Sequence, residues 1–169
     1  IGDIVAAQPR KPSANIPDKV PGVDVDADLV AEGVGILNIR SAYDIDGTAS
    51  ANIAAIADPQ LTAAAQRPAR FLRVEKAVAI PDDKLVDLNN TAFGPDRSQG
   101  MREIVAYAPI EPDGSVRVKV PANVPLAVSI LDANGRRITP RHLNWIQVVP
   151  GQELKCNGCH DPASGESHG

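Results

Sequence analysis

Short stretches in which aliphatic and polar residues alternate, each cut off by proline, glycine, Asp or Asn, leave this chain few ways to fold. The clearest is 115–121, SVRVKVP, where Val116, Val118 and Val120 point one way and Ser115, Arg117 and Lys119 the other. A two-residue period is that of a half-buried strand. The same pattern marks 33–43 (GVGILNIRSAY), with Leu37, Ile39 and Tyr43 opposite Asn38 and Arg40, and 71–80, with Leu72, Val74, Val78 and Ile80 on one face. Further strands are expected at 101–110, 125–132 and 143–149. Glu111-Pro112-Asp113-Gly114 between 101–110 and 115–121 predicts a β-hairpin with one wet face, and Asn134-Gly135 is a strong two-residue hairpin signal.

Strands of this length and spacing predict a mainly β protein, an antiparallel β-sandwich of immunoglobulin-like or transthyretin-like kind, over residues 33–150. One short helix is expected from Pro59 to Gln66, with Asp58 as its N-cap and proline in the first turn. Residues 82–100 read as a long loop with a helical turn near Leu85. Residues 1–32 hold Pro9, Pro12, Pro17 and Pro21 and no sustained period, which reads as an extended arm or linker. Only Tyr43, Phe71, Phe93, Tyr107 and Trp145 are aromatic, so the core must be aliphatic.

Charge narrows the partners. With 17 Lys and Arg against 21 Asp and Glu, the net charge is -4, the wrong sign for a nucleic-acid or anionic-membrane surface. No apolar run approaches the roughly 20 residues of a membrane span. No charged-then-apolar leader precedes Ile1, so the chain reads as a mature protein or a piece of a longer one.

Both cysteines fall in Cys156-Asn157-Gly158-Cys159-His160. This C-x-x-C-H spacing is that of covalent c-type haem attachment: two thiols bond the porphyrin as thioethers, and the adjacent imidazole reaches the iron as proximal ligand. Residues 151–169 are therefore expected to form a C-terminal haem-binding arm with haem c on Cys156 and Cys159. Three other uses compete. A redox dithiol normally sits at a helix start in a thioredoxin-like unit, which this pattern lacks. A zinc site would need further ligands from His142, His160 and His168. A plain disulfide is the third.

The sixth position of a haem iron decides between electron transfer and small-molecule chemistry. His142, before the last expected strand, and His168, on the Gly/Ser-rich tail, are the candidates for distal iron ligand; Met101 reads better as core packing. Other patterns carry little. Asp44-x-Asp46-Gly47 lacks the later ligands of a calcium loop and reads as a turn. Asp24, Asp26 and Asp28 read as a solvated face. Ser41, Thr91 and Ser98 have no triad partners, and no phosphate-binding glycine loop is present.

The stretches EPDGSVRVKVPANVPLAVSILDANGRRI and RHLNWIQVVPGQELKCNGCHDPASGESHG resemble a module of multidomain bacterial proteins related to the hydrazine synthase alpha subunit. The resemblance is clearest over 101–169, weaker over 33–47 and absent from the arm. It implies a β-sandwich ending in a C-x-x-C-H haem segment, beside other domains that often include a propeller and further c-type haems. The Pro150-Gly151-Gln152-Glu153 approach carries Cys156, Cys159 and His160 over as haem-attachment residues. In the family's namesake, the resemblance implies, a tyrosine four residues past the motif histidine ligates iron. Ser164 stands there in this chain, a departure that speaks against hydrazine-forming chemistry. The tail ends at Gly169 where relatives run on, so an excised domain or processed fragment is expected.

The leading expectation is a c-type cytochrome module, periplasmic or extracellular, that transfers electrons to a redox partner protein or to other domains of a longer chain. Export follows because haem is attached on the oxidising side of the membrane. The alternatives are a haem enzyme domain with an open axial site, acting on a small nitrogen or oxygen species, and a haem-free interaction module whose Cys156 and Cys159 hold zinc or a disulfide.

Overall fold

The computed structural model describes residues 17–46, 51–93, 100–140, 142 and 144–160. Six strands form two three-stranded sheets: β1 (Val34–Ile39), β2 (Phe71–Val78), β3 (Met101–Pro109), β4 (Val116–Pro121), β5 (Leu126–Leu131) and β6 (Glu153–Cys156). One sheet has the order β4-β1-β6 and the other β3-β2-β5. Leu37, Ile39, Val116 and Val120 of the first meet Leu72, Val74, Ala108, Leu126 and Ile130 of the second in one buried cluster. The mainly β sandwich with an aliphatic core is the expected class. Among the six strands the pairings are antiparallel except β1 with β6, which run parallel.

The hairpin expected over 101–121 does not form, because β3 and β4 belong to different sheets. The chain stays with β2 as far as Ile110, whose N–H donates to the Arg70 carbonyl at 2.9 Å. The turn then binds the end of β1 instead: Ala42 N–H donates to the Gly114 carbonyl at 2.8 Å, and the Ser41 hydroxyl donates to the Asp113 carbonyl at 2.6 Å. Gly114 has a φ of 84°, and a Cβ there would lie 2.5 Å from Ser41 Oγ, so only glycine permits the crossing.

Other local expectations shift for identifiable reasons. The helix near 59–66 is displaced: α2 spans Ile53–Ala57 with Asn52 as N-cap, and Asp58 ends that helix. Its carbonyl accepts from Leu61 and Thr62 N–H, so Asp58-Pro59 opens a turn that leads to a 3-10 turn at Ala64–Gln66. The arm is not extended throughout, since α1 forms over Ala27–Glu32. Asp26 caps α1 through its carboxylate, and Gly33 ends it in the left-handed conformation. Along β2 a register shift between Val74 and Glu75 breaks the alternation, leaving Leu72 and Val74 buried and Ile80 exposed. Leu85 N–H donates to the Asp82 carbonyl in the expected turn, and a second turn at Asn90–Phe93 buries Phe93. The strand expected at 143–149 contracts to one bridge, Ile146 opposite Leu126, with Val148 buried behind it. Asn134-Gly135 does turn the chain, bringing Arg137 back beside Leu131.

The segment expected as an appended arm begins inside the sheet, because β6 pairs with β1 from Ile36 opposite Glu153 to Ile39 opposite Cys156. On the outer face, Asn38 Nδ2 donates to Glu153 Oε1 at 2.5 Å and Arg117 lies 3.3 Å from Glu153 Oε2. These contacts hold the Glu153 carboxyl below its usual range, Asn38 contributing most.

Candidate functional site around Cys156, Cys159 and His160

β6 delivers the motif. Alternation turns Leu154 and Cys156 toward the core cluster and leaves Lys155 exposed. Arg40 N–H donates to the Cys156 carbonyl at 2.9 Å, extending the pairing one residue past β1. The chain then crosses the loop after β1. Cys159 N–H donates to the Asp44 carbonyl at 2.9 Å, and Asp46 N–H donates to the Cys159 carbonyl at 2.8 Å. Asp44 is fully buried and paired with Arg40. Gly158 lies so close over Asp44 that a Cβ would overlap its carbonyl oxygen. The expected Asp44–Gly47 turn has its first part here, Asp46 having a φ of 58°; Gly47 lies outside the described residues.

Both thiols are free and half-buried, against the core cluster. Burial pushes the Cys156 thiol up; burial, with Cys156 beside it, pushes Cys159 up to about 11. Both sulfurs are therefore protonated at neutral pH, the opposite of the lowered thiol that marks a redox dithiol. Among the described residues no three His, Cys, Asp or Glu side chains converge on a point that could hold a metal ion.

His160 is exposed, and the ring centroid of His142 lies 6.3 Å from its own, with the ring planes 69° apart. His142 Nδ1 is buried and makes no hydrogen bond of good geometry, although the nearby Asn144 carbonyl favours the charged ring. Burial dominates, helped by repulsion from His160 and Arg102, and holds the His142 imidazole below its usual value and hence neutral. Arg102 Nη2 donates to the His142 carbonyl at 3.2 Å. Its guanidinium also lies 4.5 Å from the Trp145 ring centroid and 3.5 Å from Glu75 Oε2. Neither this Arg102 brace nor the Gly158 approach was legible beforehand; the only signal was the glycine between the two cysteines. Met101 takes a place in the ladder opposite Val78, and His168 and Ser164 lie outside the described residues.

This donor set fits a c-type haem. Thioether formation is the net addition of S–H across a vinyl double bond, so protonated, unpaired thiols are in the right form. Beside them are one exposed imidazole and a second whose buried Nδ1 makes no hydrogen bond of good geometry.

Fold and site together define a β-sandwich domain whose last strand presents a Cys-x-x-Cys-His segment at the sandwich edge. Residues 58–161 match the family model of the hydrazine synthase alpha subunit middle domain, and the chain belongs to that family. The family is one domain of a larger multidomain protein. Among solved structures, Kuenenia stuttgartiensis hydrazine synthase is similar in fold. The TM-score is 0.54 at 19% identity, over 80% of this chain and 19% of that one. The chain thus spans about a fifth of the length of that relative. No curated protein matches the chain. Among the described residues no helix is long and apolar enough to cross a membrane.

Proposed function

We propose that the chain is a c-type cytochrome module, with one haem bound covalently by Cys156 and Cys159 and with His160 as proximal iron ligand. It transfers electrons within a larger extracytoplasmic redox protein. The observation that carries this reading is the pair of unpaired, half-buried thiols fixed at the sandwich edge one residue before an exposed imidazole. Bound there, haem supplies a one-electron iron couple whose potential follows axial ligation, hydrogen bonding and burial.

The chain's part is to hold and orient. Cys156 is tethered by the β6–β1 pairing, and Cys159 by hydrogen bonds to Asp44 and from Asp46. With the backbone of both cysteines held, His160 has little freedom relative to the sheet, and a fixed ligand lowers the reorganisation that accompanies electron transfer. Because attachment takes place on the oxidising side of the membrane, the module belongs in the periplasm or outside the cell. Its redox partner is another domain of the longer protein or a separate protein.

Production of the chain in a host with c-type maturation tests this. The expected result is an intact mass increased by one haem and a pyridine haemochrome spectrum of two thioether links, both lost in the Cys156→Ala/Cys159→Ala double variant. An unmodified mass with no Soret band would overturn the proposal.

A further inference from the structure

Resting on the haem reading above, we infer that His142 is the second axial ligand of the iron, so that the module holds a six-coordinate haem between imidazoles from its two sheets. An imidazole nitrogen lies about 2 Å from a first-row metal that it ligates, and the ring centroid is about 1 Å further on; two rings on opposite faces of one iron therefore stand roughly 6 Å apart. The His142 and His160 centroids are 6.3 Å apart.

The second observation is the ring's buried nitrogen. His142 Nδ1 is buried and makes no hydrogen bond of good geometry, with the Asn144 carbonyl nearby; a metal-ligating histidine turns its other ring nitrogen to such a carbonyl, which leaves Nε2 for the iron. The third is that the His142 carbonyl is held by a side chain of β3, and that Ile146, four residues on, is paired with β5. Arg102 Nη2 donates to the His142 carbonyl at 3.2 Å while its guanidinium stacks on Trp145. Ile146 exchanges two hydrogen bonds with Leu126 of β5, at 2.7 and 2.8 Å. His142 is thus presented by the β3-β2-β5 sheet and His160 by the β4-β1-β6 sheet. With both axial positions filled by the chain's own imidazoles, no site is left for a small nitrogen or oxygen substrate, and electron transfer is the remaining haem function.

The test uses the full chain matured with haem. Intact mass and pyridine haemochrome come first: absence of attached haem would overturn the haem reading itself, and this inference with it. With haem attached, the expected wild-type spectrum is low-spin and six-coordinate in both oxidation states, without carbon monoxide binding. Near-infrared magnetic circular dichroism should show two nitrogen ligands. His142→Ala should lose the low-spin spectrum, gain carbon monoxide binding and recover the low-spin form in added imidazole. His142→Met should move the near-infrared band to that of imidazole with thioether, and His168→Ala should change nothing. A high-spin wild type overturns the inference while leaving the haem reading intact. So does a folded His142→Ala protein that stays low-spin, or loss of the low-spin form in His168→Ala instead. Should His142→Ala fail to fold, the wild-type near-infrared band and His168→Ala decide together: two nitrogens with His168→Ala still low-spin support His142, and any other ligand pair, or loss of the low-spin form in His168→Ala, overturns it.

Discussion

Cys159 lies where water is scarce, and desolvation acts on it with a definite sign. A thiolate is penalised there, so its pKa rises to about 11, with Cys156 adding repulsion. In the haem-free chain the folded state therefore holds this proton more tightly than the unfolded state, whose thiol has the ordinary value of about 8.5. The resulting stability is fully present below the unfolded value and is lost as pH rises through the folded one, a window from about 8.5 to 11. Alkylation follows the thiolate fraction. At pH 7 folded, haem-free Cys159 should react with iodoacetamide roughly three-hundredfold more slowly than an exposed thiol. Peptide mass spectrometry across a pH series should place the midpoint near 11; a midpoint at or below that of a free thiol would mean that the pair is an activated dithiol. Spacing alone made Cys156, Cys159 and His160 legible in the sequence, because C-x-x-C-H is a local pattern. The thiol environment was not legible, since β6 carries both cysteines against the core cluster and beside Ile39 and Asp44, which lie far away in sequence.

Among the strands, β6 contributes least length and carries most of the site. It has four residues, pairs on one side with β1, and ends at Cys156. What continues its hold past Cys156 is the crossing at Gly158, where backbone meets the Asp44 backbone with no room for a Cβ. Gly158→Ala should push the strap off the loop and break the Cys159 N–H to Asp44 carbonyl bond. Overpacking against backbone costs about 1–3 kcal/mol, and for a chain of this size 2 kcal/mol lowers Tm by about 4–8 °C. Thermal unfolding followed by circular dichroism measures it, and an unshifted Tm would show that the crossing is looser than described. Alternation identified the stretches that became β1 to β5, since a half-buried strand writes its two faces into the sequence. Which strand each one joins was not written there. Residues 101–121 have the alternation and turn of a hairpin, yet Ile110 stays with Arg70 while Gly114 goes to Ala42. Those partners lie far away in sequence, and only Gly114, by fitting against Ser41, left a trace.

Over the whole molecule, the chain changes sheet after β1, β3, β4 and β5. Neither sheet is therefore a contiguous folding unit, and each has an inner face that only the other covers: Leu37, Ile39, Val116 and Val120 against Leu72, Val74, Leu126 and Ile130. A three-stranded sheet with its apolar face in water is not stable alone. Unfolding should accordingly be a single transition, with calorimetric and van't Hoff enthalpies equal in the haem-free chain. The same argument sets what a distant core change does to the site. Leu72, wholly buried at the centre of the β3-β2-β5 sheet, touches neither cysteine in sequence or strand pairing. Leu72→Ala removes it at a cost of about 2–5 kcal/mol, a large share of the roughly 5–15 kcal/mol by which such a domain is folded. Native-state hydrogen exchange should then show protection falling by the same factor in β1, β4 and β6 as in β2 and β5, because all open together. Loss confined to β2, β3 and β5 would mean that the sheets are separate units. In that case the 6.3 Å between His142 and His160 would depend on docking of preformed halves. Uniform loss would mean instead that the same core that folds the chain sets the distance between its two imidazoles.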